Sequence, residues 1–387
     1  MNPALLLSLV LASEQPEESV LVDRVPLTPQ ANLAFADGSV RFHPYVGLGV
    51  GAGDDPRGGD TGSTAWAIGI VGTTARWFVT SADRIETDAA LRYRRYDDSA
   101  SNHDWTGHLR LNGRHQGESG WVEGDGGLSR EEGAVAVLGG SSRVDSVFGR
   151  LGGAYLFASG GTVLRAGASN EEYDGAGEDR DRWQGNTEVY GFINRGRGRY
   201  GLRLRGETTQ YRESTRYTSS SGVALLAGTV QQFSEKTKFA VDVGAILREY
   251  DTGESDNDVI APLASMIATW EFAERSTVGL TFTVALDDNN AGNAETLVKI
   301  GPITRIRLSP DWQFAAQATY GRGFDTGRPT GDAVELRTLL EATAAIEYHF
   351  LRDGAAIRLE VSGEDNTAKF AGDSDGLRGQ LMFLTVW

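Results

Sequence analysis

Gly379-Gln380-Leu381-Met382-Phe383-Leu384-Thr385-Val386-Trp387 ends the chain on an alternating run with a terminal aromatic. Strand geometry puts Leu381, Phe383, Thr385 and Trp387 on one face and Gln380, Met382, Leu384 and Val386 on the other. In a transmembrane β-barrel the last strand closes against the first, and its final aromatic sits in the interfacial girdle. Phe383 and Trp387 are then the C-terminal barrel signal. The last strand of a soluble sandwich fits this run equally well, so the decision rests on the rest of the chain.

Working back from that run, one pattern recurs from about Phe42 onward. A strand-like segment of about ten residues ends in a short polar turn, a second follows, and then comes a longer loop rich in Asp, Glu, Gly and Ser. Short turns fall at Thr80–Asp83, Ser159–Gly161, Arg195–Gly198, Ser234–Lys236, Ala273–Ser276, Ser309–Asp311 and Leu351–Gly354. Their Gly, Asp, Pro and Ser supply the backbone angles of tight hairpins. Long loops alternate with them near 53–63, 98–103, 132–142, 174–182, 214–221, 251–258, 287–295, 325–333 and 365–375. Short turns at one end and long loops at the other mark an outer-membrane barrel with its turns in the periplasm. A propeller repeats at a similar length, but no Trp-Asp signature recurs here.

The expected fold is all-β: a single transmembrane antiparallel β-barrel with short periplasmic turns and longer acidic extracellular loops. Eighteen strands are expected, or sixteen if the weakly alternating segments around 120–131, 184–194 and 259–272 are not strands. Three regions follow: residues 1–12 as a signal peptide, 13–41 as a short periplasmic N-terminal segment, and 42–387 as the barrel. The signal reading rests on the apolar run Ala4–Ala12, which no Lys or Arg precedes.

Composition agrees with this reading. The 387 residues include 50 Gly, 10 Pro and no Cys. Glycine spread through strands suits a sheet that bends and packs closely on itself. Without cysteine there are no disulfides and no thiolate metal sites, and nothing to cross-link on a periplasmic route. The formal net charge of −16 argues against a nucleic-acid partner. The mean hydropathy is slightly negative. A barrel shows this because only every second strand residue meets lipid. No apolar run reaches the roughly 18 residues of a membrane helix.

A charge at lipid depth costs roughly 2–4 kcal/mol for Lys or Arg, so the charged member of each alternation must point inward. The basic lumen lining is then Arg92, Arg94, His108, Arg110, Arg114, Arg150, Arg165, Arg203, Arg205, Arg248, Lys299, Arg305, Arg307, Arg337, Arg358 and Arg378. The acidic lining is Asp88, Glu188, Glu207, Asp242, Glu335, Glu341, Glu347 and Glu360. These groups either brace the wall as neutralised cross-strand pairs or bias a water-filled pore toward anions. Tyr93, Tyr155, Phe157, Tyr200, Phe272, Phe314, Tyr348, Phe350 and Trp387 are expected in a girdle beside the periplasmic turns.

No chemistry of an enzyme stands out. The five histidines show no metal-ligand spacing, and no Gly-x-Ser-x-Gly elbow is present. Asp97, Asp98, His103 and Asp104 could serve a surface hydrolase, but no nucleophile accompanies them. The loop acids Asp251, Glu254, Asp256 and Asp258 lack the full calcium-loop pattern. The expectation is a non-enzyme with no cofactor and no metal.

The two-strand period over 42–387, the opening Tyr45-Val46-Gly47-Leu48-Gly49-Val50-Gly51-Ala52-Gly53-Asp54-Asp55, the strand Leu91-Arg92-Tyr93-Arg94-Arg95-Tyr96 and the terminal Trp387 resemble the β-barrel porin 2 family. That family includes barrels associated with exopolysaccharide secretion. The resemblance is one of architecture across nearly the whole chain. It implies an outer-membrane porin of a diderm bacterium that passes a polysaccharide made by an inner-membrane pathway. Its partners would be outer-membrane lipid, the barrel-assembly machinery and a separate periplasmic polysaccharide-export protein. A general diffusion porin for small anions and a structural or adhesive surface barrel are the other two readings.

Overall fold

The computed structural model describes residues 33–35, 39–54, 63–97, 103–135, 140–175, 180–212, 218–251, 258–288, 294–326, 335–350, 354–368 and 372–386. A short strand, β1 (Leu33–Phe35), precedes eighteen long ones. They are β2 (Val40–Asp54), β3 (Ser63–Phe78), β4 (Asp83–Tyr96), β5 (His103–Gly117), β6 (Gly120–Val135) and β7 (Gly140–Phe157). Then come β8 (Gly160–Gly175), β9 (Arg182–Arg195), β10 (Gly198–Tyr211), β11 (Ser220–Gln232), β12 (Thr237–Tyr250) and β13 (Val259–Ala273). The last are β14 (Ser276–Asp288), β15 (Ala294–Arg307), β16 (Trp312–Asp325), β17 (Glu335–Phe350), β18 (Ala355–Ala368) and β19 (Gly372–Val386).

Each long strand pairs antiparallel with the next, and β19 pairs back onto β2, so β2–β19 form a closed barrel of eighteen strands. The weakly alternating segments are strands β6, β9 and β13, which excludes the count of sixteen. Residues 1–12, assigned above to a signal peptide, lie outside the described residues. β2 begins at Val40, and β1 pairs with its first residues through Leu33↔Phe42, Ala34↔Arg41 and Phe35↔Val40. The terminal strand β19 pairs with the same edge of β2 as far as Val386↔Tyr45. β1 therefore continues the edge that β19 leaves.

The registers sort every described side chain to one of two faces. The large exposed apolar residues of the strand interiors fall on a single face, from Leu48 (65 % exposed) on β2 to Leu151 (70 %) on β7, Ile260 on β13 and Leu381 on β19. On β7 the outward residues from Val147 to Phe157 carry no charge. At about 3.3 Å per residue and a tilt of roughly 40°, this run stands about 25 Å tall, the height of a barrel's lipid band. Beyond it, toward the long loops, the outward face becomes ionic: Arg130 bonds Asp145 at 2.6 and 2.9 Å, and Arg143 lies 3.0 Å from Asp174. β6 and β7 thus run past the uncharged band into what reads in the sequence as acidic loop.

Aromatic rings mark both borders of the band. Toward the short turns the outward face carries Trp77, Tyr155, Phe157, Tyr200, Trp270, Phe272, Trp312, Tyr348 and Phe383. Phe350 and Phe383 lie 5.9 Å apart beside the closing seam, while Trp387 lies outside the described residues. Tyr93 belongs to the opposite border. It lies near the loop end of β4, its ring 4.6 Å from Trp105 and 5.9 Å from His103.

Closure depends on a glycine row. Gly47, Gly49 and Gly51 of β2 face inward, between Leu384, Met382 and Gln380 of β19 and Ile70, Ile68 and Trp66 of β3. Those flanking side chains lean over the bare strand. A Cβ at Gly51 would lie 2.3–2.5 Å from the Trp66 indole, and one at Gly49 would lie 2.5 Å from the Leu381 carbonyl. Trp66, Ile68, Tyr96, Met382 and Leu384 pack here as one buried apolar cluster.

Candidate functional site: the inner wall of the barrel

The face opposite the lipid band carries most of the ionised groups of the strands. Cross-strand pairing puts Arg92, Arg94 and Asp88 of β4 in the same rows as Ile70, Ile68 and Thr74 of β3. His108 and Arg110 of β5 continue the inward face, and His108 pairs with Asp88. Arg110 makes a two-pronged contact with Asp125 of β6, both bonds 2.8 Å long. Arg114 lies 3.9 Å from Glu123 and stacks on Trp121 with its guanidinium 4.8 Å from the ring centre. Arg92 donates to Thr106 and Arg94 to the Tyr96 hydroxyl.

A second network crosses β8 to β12. Glu188 takes Arg165 at 3.3 Å and Arg203 at 3.7 Å, and Arg203 also lies 3.8 Å from Asp242. Glu207 is held by Arg205 from its own strand and by Arg248 from β12. Gly222 of β11 stands between Glu207 and Arg248 in the register, so the pair closes over a strand with no side chain at that point.

A third network lies on β14 to β19. Arg337 pairs with Glu295 at 3.0 Å and Asp287 at 3.3 Å. Arg358 is only 2 % exposed and sits between Glu347 and Glu360, with His349 3.3 Å from Glu347. Gln380 donates to Glu360, and Arg378 bonds Glu364 at 3.0 Å. Lys299 occupies the row of Thr283 and Gly321, and Glu341 faces inward opposite Thr319. The backbone of Glu335 pairs with Phe324; its side chain lies outside the described residues.

Arg94, Arg150, Arg305 and Arg307 of the expected basic lining have no ion-pair partner among the described residues. Arg150 stacks on Phe148 at 5.2 Å, Arg305 is exposed, and Arg307 donates to the carbonyls of Ser309 and Pro310. Arg305 and Arg307 stand at the short-turn mouth.

Sequence alternation missed two features of this wall. The first is acid: Asp104, Glu123, Asp125, Glu295 and Glu364 also face inward and neutralise much of the basic lining. Glu123 and Asp125 alternate with Gly124 and Gly126, which give no lipophilic signal for the other face. The second is apolar: Trp121, Val163, Tyr190, Phe192, Val230 and Ala240 form a buried inward cluster near the short turns, and the inward Leu226, Ile246 and Val259 belong to another. Where both faces of a strand are apolar, as in Val189-Tyr190-Gly191-Phe192-Ile193, no charge reports the orientation.

The residues considered for a hydrolase do not converge. His103 faces outward beside Tyr93, Asp104 faces inward and accepts the Tyr96 hydroxyl, and Asp97 accepts Thr64 Oγ1 at 2.9 Å. Asp98 lies outside the described residues, as do Glu254 and Asp256 of the acidic loop. Among the described residues no three His, Asp or Glu side chains stand close enough together to hold a metal ion.

No protein-family model and no curated protein sequence matches the chain. Solved structures do. A BenF-like porin from Pseudomonas fluorescens Pf-5 superposes with a TM-score of 0.51 at 9 % identity, covering 90 % of this chain and 98 % of that one. The FrpB iron transporter from Neisseria meningitidis gives 0.53 at 10 % identity, with 89 % and 81 % covered. Pseudomonas aeruginosa OccK2 (OpdF) gives 0.50 at 12 % identity, with 90 % and 97 % covered. At 9–12 % identity the likeness is one of fold, and that fold is the closed barrel of outer-membrane porins and transporters.

Proposed function

We propose that this protein is an outer-membrane channel of a diderm bacterium that passes a hydrophilic solute along its charged inner wall. The observation that carries the reading is the segregation of the two faces. An uncharged band faces outward, while the ionised groups at the same depth face inward on a closed sheet of eighteen strands. Barrels of sixteen to eighteen strands leave an aqueous channel. The exposure of Arg150, Arg205, Arg305 and Glu341 on the inward face fits a wetted wall.

The specialised use we favour is export of an exopolysaccharide, as the sequence resemblance to the β-barrel porin 2 family implies. Aromatic rings interleaved with ionised groups along the wall support it, because such a lining offers both stacking and hydrogen bonds to a sugar chain. A periplasmic polysaccharide-export protein would then deliver the polymer to the short-turn mouth. The unpaired Arg150, Arg305 and Arg307 favour a second reading, a general diffusion porin for small anions.

The test is conductance of the refolded full-length protein in a planar bilayer. Stable, non-gated channels are expected. A barrel that inserts but never conducts overturns both channel readings and leaves the structural or adhesive surface barrel.

A further inference from the structure

We propose that the outward patch at the loop end of β4 and β5, built from Arg95 and His103 beyond the rings of Tyr93 and Trp105, binds the phosphate-monoester headgroup of a membrane lipid. The proposal requires the outward band to face lipid and is independent of whether the lumen conducts.

Two observations carry it. The first is depth. The outward residues of β4 from Ile85 to Tyr93 and of β5 from Gly113 to Trp105 carry no charge, and Arg95 and His103 are the next outward residues on the two strands. They stand opposite each other in the register, as Tyr93 and Trp105 do one outward position nearer the band. Arg95, His103 and Trp105 are exposed, and the ring of Tyr93 lies 4.6 Å from Trp105 and 5.9 Å from His103. Tyr and Trp collect where acyl chains meet headgroups. A guanidinium and an imidazole just beyond those rings are therefore at headgroup level, on the face turned toward lipid.

The second observation is what Arg95 lacks. Other outward arginines at the loop end are matched within the protein. Arg130 stands opposite Asp145 and Arg143 opposite Asp174, each as a formed ion pair. Arg212 lies 3.6 Å from Glu172, and Arg322 donates to the Tyr320 hydroxyl. Arg95 has no carboxylate partner among the described residues, and the residue opposite it is His103, a second donor. The carboxylates beside the patch are engaged elsewhere. Asp97 accepts Thr64 Oγ1 at 2.9 Å and the Ala65 N–H at 3.1 Å, and Glu132 accepts the Trp105 backbone N–H at 2.9 Å. The patch is thus an open pair of donors whose acceptor must be anionic and must bring an apolar body for the rings below. A lipid phosphate does both. Its oxygens match the planar guanidinium fork, and its acyl chains continue over Tyr93 and Trp105 onto the apolar band. A monoester suits two donors better than a diester, because it carries about −1.5 to −2 charge on three terminal oxygens.

The experiment is native mass spectrometry of the refolded full-length protein in detergent micelles, titrated in parallel with phosphatidic acid, phosphatidylglycerol and phosphatidylcholine of matched chains. Phosphatidic acid is expected to bind at least about fivefold more tightly than phosphatidylcholine, with phosphatidylglycerol between them, and inorganic phosphate at equal concentration should not displace it. Arg95→Gln should weaken phosphatidic acid binding about fivefold and His103→Ala about twofold, while Arg95→Lys should keep part of the preference. Arg143→Gln removes an arginine already paired with Asp145 and Asp174 and should leave it unchanged. Equal binding of phosphatidylcholine overturns the headgroup site, and equal binding of phosphatidylglycerol overturns the monoester. Displacement by inorganic phosphate overturns the lipid as its source. Unchanged affinity in an Arg95→Gln barrel that still shows heat-modifiable migration overturns the site, as does an equal loss in Arg143→Gln. Insertion into phosphatidylcholine liposomes is measured separately. A barrel that inserts without this preference loses only the site, and one that never inserts loses the membrane reading with it.

Discussion

Arg337 on β17 reaches Glu295 on β15 across an intervening strand, Nε to Oε1 at 3.0 Å, because β16 contributes only Gly323 at the crossing. Glu295 is fully buried there, at 0 % exposure. A Cβ on residue 323 would fall 1.3 Å from the Glu295 carboxylate. The glycine is required for close approach, so the pair and the bare backbone form one unit.

Gly323→Ala is therefore expected to displace the carboxylate and lower barrel stability by about 1–3 kcal/mol, the cost of a buried polar group losing its partner. Glu295→Ala should cost a similar amount. The double variant should cost less than the sum, because the clash and the lost pair are the same event. Urea unfolding of the liposome-inserted protein, followed by tryptophan fluorescence, measures all three. Strict additivity would show that Gly323 matters for some other reason.

The two faces can be tested with one substitution type. Leu151 lies near the middle of the outward band, and Thr283 faces inward between Ser265 and Lys299. Leu151→Arg should lose roughly 2–4 kcal/mol of insertion free energy, whereas Thr283→Arg should lose little. Heat-modifiable gel migration after folding into liposomes reports both. Equal yields would contradict the facing derived from the registers.

The barrel class was legible because lipid enforces alternation: Leu202, Leu204, Arg203 and Arg205 on β10 sort themselves by charge alone. The same rule falls silent where its contrast vanishes. In β6 the outward partners of Glu123 and Asp125 are glycines, and in β9 Tyr190 and Phe192 face inward beside outward Val189 and Ile193. Cross-strand identity was not legible either. Which carboxylate meets Arg203 or Arg337 depends on register and on glycine gaps such as Gly323, and alternation within one strand carries no register.

The closing seam gives a prediction about assembly. The obstacle to a side chain at Gly51 is the Trp66 indole, while at Gly49 it includes the Leu381 backbone of the partner strand. Gly51→Ala should slow closure, and Trp66→Ala in the same molecule should restore much of the rate. Gly49→Ala should not be rescued by Met382→Ala, because the carbonyl remains. Folding half-times in detergent-to-liposome transfer distinguish the two. Rescue at both positions would mean that side chains alone set the seam.

Ion selectivity follows from which wall charges are unpaired. Arg110 and Asp125 cancel each other, so removing both as Arg110→Gln with Asp125→Asn should leave the reversal potential where it was. Arg305 and Arg307 have no carboxylate partner among the described residues and stand at the short-turn mouth. They should give the open channel a weak anion preference, with an anion-to-cation permeability ratio above unity. Replacing both with Glu should carry the ratio below unity. The effect should fade as salt rises from about 0.1 M to 1 M and the screening length falls from about 10 Å to 3 Å. The reading is wrong if the wild-type channel prefers cations. In that case the acidic long loops, not the wall, set the field that ions meet.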